Sequence, residues 1–431
     1  MTLEDHLLKA VLNRDQGRAL RGNIRTELES TFRAIEDLLG VKAKSDIRVG
    51  VALVDRAEES PLLYIAGYDG FSIPPAWGRV YGTEEQRITM QAALAGKHLT
   101  EPKETPRYAL DEVRKGEKRE GAIAIPWRIT EENGESSRPV YAVLLVEGVP
   151  GNSLAFDDSL MSRLQNVSNA GSRNLYNFIR RAIDVDTGLL TKEFYQRMLL
   201  EKYLDAKKRG SNLSITKLDI DDFKAINDGH GGHTAGDRVL NQIGSVLRQE
   251  FQADSDLLGR VGGDELERAS AYDANRTFME SNIAQARVYG DTVGLQVNGG
   301  GLEKGVTFSM GVADRSQLDA FISKTNAKLR PDLSVDEAEL EILRHIADLA
   351  AYAAKGLRNH IEMDGKRVPE EDRDKKGRVA CWVEDPDKLS ESERKGLRFA
   401  PANYKRGIEV DVGTKGLYFL VSPKFLVHDR R

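Results

Sequence analysis

Two glycines followed at once by two carboxylates, in Arg260-Val-Gly-Gly-Asp-Glu-Leu266, constrain this chain more than any other stretch. Leu257, Leu258 and Val261 form a short apolar run ahead of them. The pair Gly262-Gly263 offers the positive φ that a tight type I′ hairpin requires, so Asp264 and Glu265 are expected at a hairpin tip. Upstream, Leu213–Ile220 reads as a second strand, with Asp219, Asp221 and Asp222 at its end. Hard cations such as Mg²⁺ need oxygen ligands converging from separate segments, and two acidic strand ends supply them. An isolated Gly-Gly-Asp-Glu is more often a solvated turn; the second acidic end weighs against that.

The remaining composition excludes several classes. A chain of 431 residues can bury two or three cores. A net charge of −5 argues against a broad nucleic-acid footprint. One cysteine, Cys381, and seven histidines exclude a disulfide framework and a cysteine-rich zinc site. The first residues, MTLEDHLLKAVLNRDQ, lack an apolar signal core, and no apolar run reaches the roughly eighteen residues of a membrane span. The expectation is a cytoplasmic chain without nucleic-acid or membrane partners.

Residues 1 to about 45 show helical spacing, with Ile24, Leu28, Phe32, Ile35 and Leu38 on one face. Strands are expected at Ile47–Val54, Pro61–Ala66, Gly121–Pro126 and Val140–Val146, with a helical patch at Ile88–Leu94. A long helix then opens after Phe156. Its Leu160, Leu164, Val167, Gly171 and Phe178 approximate a heptad seam that could join two protomers; an amphipathic helix packed on its own domain fits equally. Beyond residue 361, Asp364–Gly377 reads as a charged linker, and Ile408–Val412 with Leu417–Val421 as a β-hairpin.

Six segments in order across 184–361 carry a family resemblance. They are Asp184–Leu189, Asp219–Asp228, Gly232–Asp237, Gly262–Leu266, Val306–Val312, and Ala347-Asp348 through Lys355, Arg358 and Asn359. Together they resemble GGDEF domains, the diguanylate cyclase family. Residues 20–155 are similar in pattern to a GAF-type sensory domain. The resemblance implies an α+β chain in four parts: a GAF-like sensory domain with N-terminal helices at 1–155, a connecting signalling helix at 156–183, a GGDEF domain at 184–361, and a charged linker with a small β appendage at 362–431. The GGDEF part would be a central sheet wrapped by helices, palm-like as in nucleotidyl cyclases.

Its implied activity joins two GTP molecules into cyclic di-GMP under control of a signal, a small molecule or a protein, at the GAF-like domain. Phosphoryl transfer of this kind rests on positioning and charge neutralisation. The resemblance implies two Mg²⁺ ions per half-site, with Mn²⁺ as a substitute, held by Asp219, Glu265, Asp264 and the Ile220 carbonyl. Asp264, Glu265 and Lys224 would be catalytic. Lys224, Lys355 and Arg358 would meet phosphates, as would amides around Phe223. Asn227 and Asp237 would read guanine, since an Asp accepts from its N1 and N2 hydrogens. Each domain holds one GTP, so a homodimer is implied.

Several positions depart from the family pattern. Asn227–His233 is one residue longer, Leu266 replaces Phe, and Lys355–Arg358 is one shorter. The strand Glu267–Tyr272 lacks an apolar run and is expected to pack poorly. His230 and His233 lie in the longer loop, where one buried structural histidine is expected rather than a metal pair. Many members carry Arg-x-x-Asp before the hairpin to grip the product. Here Ala253 stands at the Arg position and the Asp survives as Asp256, which implies that this inhibition is lost. The alternative to a cyclase is a degenerate GGDEF protein that binds GTP or another protein.

Overall fold

The structure is a computed structural model that describes residues 14–38, 48–55, 62–69, 79–81, 99–101, 121–127, 142–149, 158–229, 232–251, 256–297, 300–325, 327, 330–355, 362–363, 366–367, 377–391, 397–400 and 417–422. The chain divides into two compact units, Met1–Ile183 and Asp184–Arg431.

In the first unit, helices α1 (Arg14–Leu38) and α2 (Asp158–Ala182) accompany an antiparallel sheet. Its strands are β1 (Arg48–Asp55), β2 (Leu62–Asp69), β3 (Arg79–Tyr81), β4 (Leu99–Glu101), β5 (Gly121–Trp127) and β6 (Ala142–Val149), in the order β3-β2-β1-β6-β5-β4. The predicted strands are present, whereas Ile88–Leu94 lies outside the described residues. Ile24, Leu28, Thr31, Phe32 and Ile35 of α1 are buried, as the helical spacing predicts. On α2 the buried stripe is Leu164, Ser168, Gly171, Leu175 and Phe178. Trp127 Nε1 donates to Ser168 Oγ at 2.6 Å, and a Cβ on Gly171 would crowd Thr31 and Trp127. Leu164, Gly171 and Phe178 of the predicted seam are thus buried within the same unit, while Leu160 and Val167 are half-buried. This part of the helix packs on its own domain.

The second unit is built on an eight-stranded sheet, ordered β17-β18-β16-β13-β8-β10-β9-β7. Its members are β7 (Leu190–Thr191), β8 (Ser214–Ile220), β9 (Leu257–Arg260), β10 (Glu265–Ser270), β13 (Phe308–Asp314), β16 (Arg378–Val383), β17 (Leu397–Ala400) and β18 (Leu417–Val421). Two small ribbons stand apart: β11 (Gln296–Val297) with β12 (Gly300–Gly301), and β14 (Glu362–Met363) with β15 (Lys366–Arg367). The helices are α3 (Lys192–Arg209), α4 (Phe223–Gly229), α5 (His233–Glu250), α6 (Ala274–Thr292), α7 (Leu318–Thr325) and α8 (Val335–Lys355). Leu218, Ile220, Leu266 and Met310 pack with Val239, Ile243 and Val288 in the main core. Ser334 and Glu337 cap α8 reciprocally.

Two expectations fail here. Of the expected appendage at 362–431, the described strands are not separate, because β16 pairs in parallel with β13 and carries β18 and β17 beyond it. Leu417–Val421 does pair antiparallel, but with Arg378–Val383 and Leu397–Ala400; Ile408–Val412 lies outside the described residues. Val379, Trp382 and Phe419 are buried, which explains why these strands need the sheet.

The strand after the hairpin also packs well, contrary to its polar sequence. β10 lies between β8 and β9 and is buried from Leu266 to Ser270. Its charges are paired across the sheet. Glu267 meets Lys217 Nζ at 2.6 Å and Arg344 Nε at 2.9 Å. Arg268 meets Asp256 at 2.8 Å and Glu280 at 2.5 Å, and lies over the Phe251 ring. Burial alone would push the Glu267 carboxyl up; Lys217 and Arg344 outweigh it and hold the carboxyl below its ordinary range. Ion pairs from three neighbouring elements are invisible to a reading of the strand alone.

Glu267→Gln should therefore leave the half-buried Lys217 and Arg344 without their buried counter-charge and cost about 3–5 kcal/mol. Urea unfolding at neutral pH measures this, and a loss below about 1 kcal/mol would contradict the pairing. The wild-type carboxylate stabilises above its unfolded value of 4.5, and that contribution fades as pH falls through the lowered folded value. The acid limb of the stability curve should be shallower in the variant.

Candidate active site

The acidic strand ends come together as the sequence predicts. Asp219 and Glu265 are direct register partners on antiparallel β8 and β10. Side chains so placed lie about 4.5–5.5 Å apart at Cβ, and like charges there repel. Asp264 precedes Glu265, and its carbonyl accepts from Ile220 N at 3.0 Å, closing the end of the ladder.

The hairpin is not the expected type I′ turn, since neither Gly262 nor Gly263 has positive φ. Residues 261–264 form the loop instead, and Val261 N and Gly262 N both donate to the Glu265 carbonyl, at 2.9 and 3.1 Å. A Cβ on Gly262 would come within 3.0 Å of Glu265 Cβ and Oε2. Small size beside Glu265, rather than backbone handedness, is what Gly262 provides.

Arg260 fixes the loop from behind. Its guanidinium donates to the Gly263 carbonyl at 2.9 Å, to Asp184 at 3.2 Å and to Asp186 at 2.5 Å. Asp184 also holds its own turn, accepting from Thr187 N at 2.9 Å and Thr187 Oγ1 at 2.8 Å, with Gly188 at φ 66°. Sequence reading missed Arg260; the carboxylates of the Asp184–Leu189 turn were the available signal.

Cations approach from the helices. Lys355, the last residue of α8, places Nζ 2.6 Å from Asp219 Oδ1. Its helix can come this close because Gly311 of β13 has no room for a Cβ, which would collide with the Ala347 carbonyl and Ala351 N. Burial pushes the Asp219 carboxyl up, with Lys355 opposing and the charges of Asp264 and Asp221 adding to the rise. Lys224 is exposed on α4, while Arg358 lies outside the described residues.

On the neighbouring face, Asn227 Oδ1 is buried with no hydrogen-bond partner. It stands where a Cβ on Gly236 would be, and Phe223 Cζ lies against the same spot at 2.9 Å. Gly236 thus seats Asn227 one residue before Asp237, which is exposed at the start of α5. The longer loop therefore leaves Asn227 and Asp237 on adjoining turns. His233 is exposed and is not the expected buried histidine; His230 lies outside the described residues.

Asp221 differs from the sequence expectation. It is buried rather than presented to solvent, and it accepts from Thr307 Oγ1 and Ser309 Oγ, each at 2.7 Å, and from Gly377 N at 3.1 Å. Among the described residues no three His, Cys, Asp or Glu side chains form a cluster able to hold a metal. The carboxylate set is therefore the Asp219–Glu265 pair, with Asp264 beside it.

This architecture and this acidic site define a recognisable class. Residues 181–324 match the family model described as diguanylate cyclase, GGDEF domain. The matched residues make up about a third of the chain and lie almost wholly in the second unit. It is 30% identical over 122 residues to diguanylate cyclase DgcS of Shewanella oneidensis, covering 28% of this chain and 40% of that protein. It is 29% identical over 197 residues to diguanylate cyclase TpbB of Pseudomonas aeruginosa, covering 44% of this chain and 39% of that protein. The chain thus spans about two fifths of these relatives' length. A solved structure of the coiled coil and GGDEF domain of DgcB from Caulobacter crescentus, in complex with c-di-GMP, is similar at 23% identity and a TM-score of 0.36; the match covers 46% of this chain and 95% of that one.

Replacing Lys355 with Met removes the cation that opposes the upward shift of Asp219. The Asp219 pKa should rise further, as read by carboxyl NMR titration against pH. An unchanged titration would show that the ion pair does not persist in solution.

Proposed function

We propose that this chain is a diguanylate cyclase that condenses two GTP molecules into cyclic di-GMP and two pyrophosphates. The observation that carries the reading is the Asp219–Glu265 register pair, set at a hairpin beside Asp264 and met by Lys355. Two opposed carboxylates with an ammonium already on one of them form a site that a cation stabilises. All donors are oxygen, so the residues fit Mg²⁺ or Mn²⁺, with Asp219, Glu265 and the Ile220 carbonyl as ligands and Asp264 beside them. Such an ion, when bound, supplies Lewis-acid chemistry and offsets triphosphate charge.

The chain's own residues do the rest. Asn227 and Asp237 orient guanine, with the unpartnered Asn227 Oδ1 as an acceptor for its N–H groups. Phe223 amides, Lys224 and Lys355 hold the phosphates, as would Arg358. The 3′-oxygen of one GTP attacks the α-phosphorus of the other, and the bond to the β-phosphate oxygen breaks. The 3′-hydroxyl proton leaves to Asp264 or solvent. The same exchange in the reverse sense closes the ring. Each domain holds one nucleotide, so two copies must face each other. Leu160 and Val167 of α2 are half-buried, and this helix is the proposed surface that aligns them.

The first unit is proposed as a GAF-like sensor for a small molecule or protein, supported by its antiparallel sheet flanked by helices. No helix among the described residues is long and apolar enough to cross a membrane, in keeping with the proposed cytoplasmic location. The well-packed β10 removes the main structural objection to activity and weighs against the degenerate reading.

Glu265→Gln tests the assignment, because the amide keeps the size but loses the charge. Mass spectrometry of products formed from GTP and Mg²⁺ should show cyclic di-GMP from the wild type and none from the variant, with both folded. Synthesis by the variant at the wild-type rate would sink the role given to Glu265.

Product inhibition should be weak. Asp256, at 1% exposure, is paired to Arg268 and is not open to a dinucleotide. Rates measured with added cyclic di-GMP should stay level through the low-micromolar range; half-inhibition there would reveal another inhibitory site.

A further inference from the structure

We infer that Asp221 is a positioning residue, and that it binds the C-terminal strands into the active site. This inference rests on the cyclase reading above. Asp221 lies between Ile220, a proposed ligand, and the turn that leads to Lys224. Its carboxylate faces inward and is buried. Oδ1 accepts from Ser309 Oγ at 2.7 Å; Oδ2 accepts from Thr307 Oγ1 at 2.7 Å and Gly377 N at 3.1 Å. A buried carboxylate bonded in this way is held in one orientation, since leaving any donor unpaired is costly. Asp221 N donates to the Thr307 carbonyl at 2.9 Å, which ties the same residue to β13 through its backbone.

The next residue shows what this anchor opposes. Asp222 has φ 54°, the only positive φ among the described non-glycine residues. That conformation is unfavourable for an L-residue, so the turn needs outside support. Asp221 supplies it, and thereby fixes where β8 ends and where Asp219 and Ile220 point.

Gly377 carries the second half of the inference. Its φ of 77° turns its N–H onto Asp221 just before β16, and a Cβ there would lie 3.1 Å from Thr307 Cγ2. The residue lies outside the family-matched segment 181–324, yet it donates to the acidic turn. Residues 377–383 and 417–421 therefore belong to the catalytic unit, held by the β13–β16–β18 ladder.

The test compares wild type, Asp221→Asn, Thr307→Val and Thr277→Val in the full chain. Thr277 bonds Ser214 at 2.7 Å at the far end of β8 and serves as the purely structural control. Thermal unfolding and calorimetric binding of a non-hydrolysable GTP analogue are measured across a Mg²⁺ series. In Asp221→Asn the Mg²⁺ needed for half-maximal binding should rise roughly 10–100-fold, the usual effect of losing a residue that orients metal ligands. Thr307→Val should shift it in the same direction by less, and Thr277→Val should lower the melting temperature alone. If Asp221→Asn does not fold, Thr307→Val decides. Wild-type Mg²⁺ dependence in every folded variant, or an equal shift in Thr277→Val, overturns the inference. A wild-type chain that binds no analogue instead defeats the cyclase reading itself.

Discussion

Two carboxylates stand in register where β8 and β10 end, and the half-buried charge of Asp219, with Asp264 and Asp221 adding to it, is the constraint on which this site depends. Like charges in directly opposed cross-strand positions destabilise a sheet by up to about 1 kcal/mol. Burial pushes the Asp219 carboxyl up, and the charges of Asp264 and Asp221 add to the rise. The fold answers with a cation delivered from a distance. Gly311 lets α8 approach β13 backbone to backbone, and Lys355 at the end of α8 then reaches Asp219. The Lys355 ammonium thus offsets the charge gathered at the strand ends.

The same problem recurs deeper in β10, and it is solved without any ligand. Glu267 and Arg268 are adjacent and point to opposite faces of a central strand, both almost fully buried. An unpaired buried charge costs several kcal/mol, so neither could stand alone. Lys217 and Arg344 close one face; Asp256 and Glu280 close the other. Asp256 is consequently spent on structure, and Cys381, with its thiol pushed up to about 12 by burial, behaves as a small apolar residue.

Much of the second unit was legible because its signals are local. Asp219, Asp264 and Glu265 sit in short motifs whose spacing survives any packing detail, and apolar runs gave away β8, β13 and α8. What escaped depends on partners far away in the chain. The pairing of Glu267 with Arg344 spans 77 positions, and Gly377 reaches Asp221 across 156. No periodicity reports such contacts, which is why β10 read as poorly packed and residues 362–431 as a detached appendage. The Gly262-Gly263 turn failed for a different reason. Glycine is needed there for size beside Glu265, and sequence cannot separate that need from one for positive φ.

Where a divalent ion settles is the most direct question to put to this account. Mn²⁺ titrated into methyl-labelled protein with a GTP analogue broadens nearby signals in proportion to proximity. The Ile220 and Leu266 methyls, one on each side of the Asp219–Glu265 pair in sequence, should broaden first and together, ahead of all other core methyls. Broadening that begins elsewhere, or that spares these two residues at saturating Mn²⁺, would contradict a cation site between the opposed carboxylates.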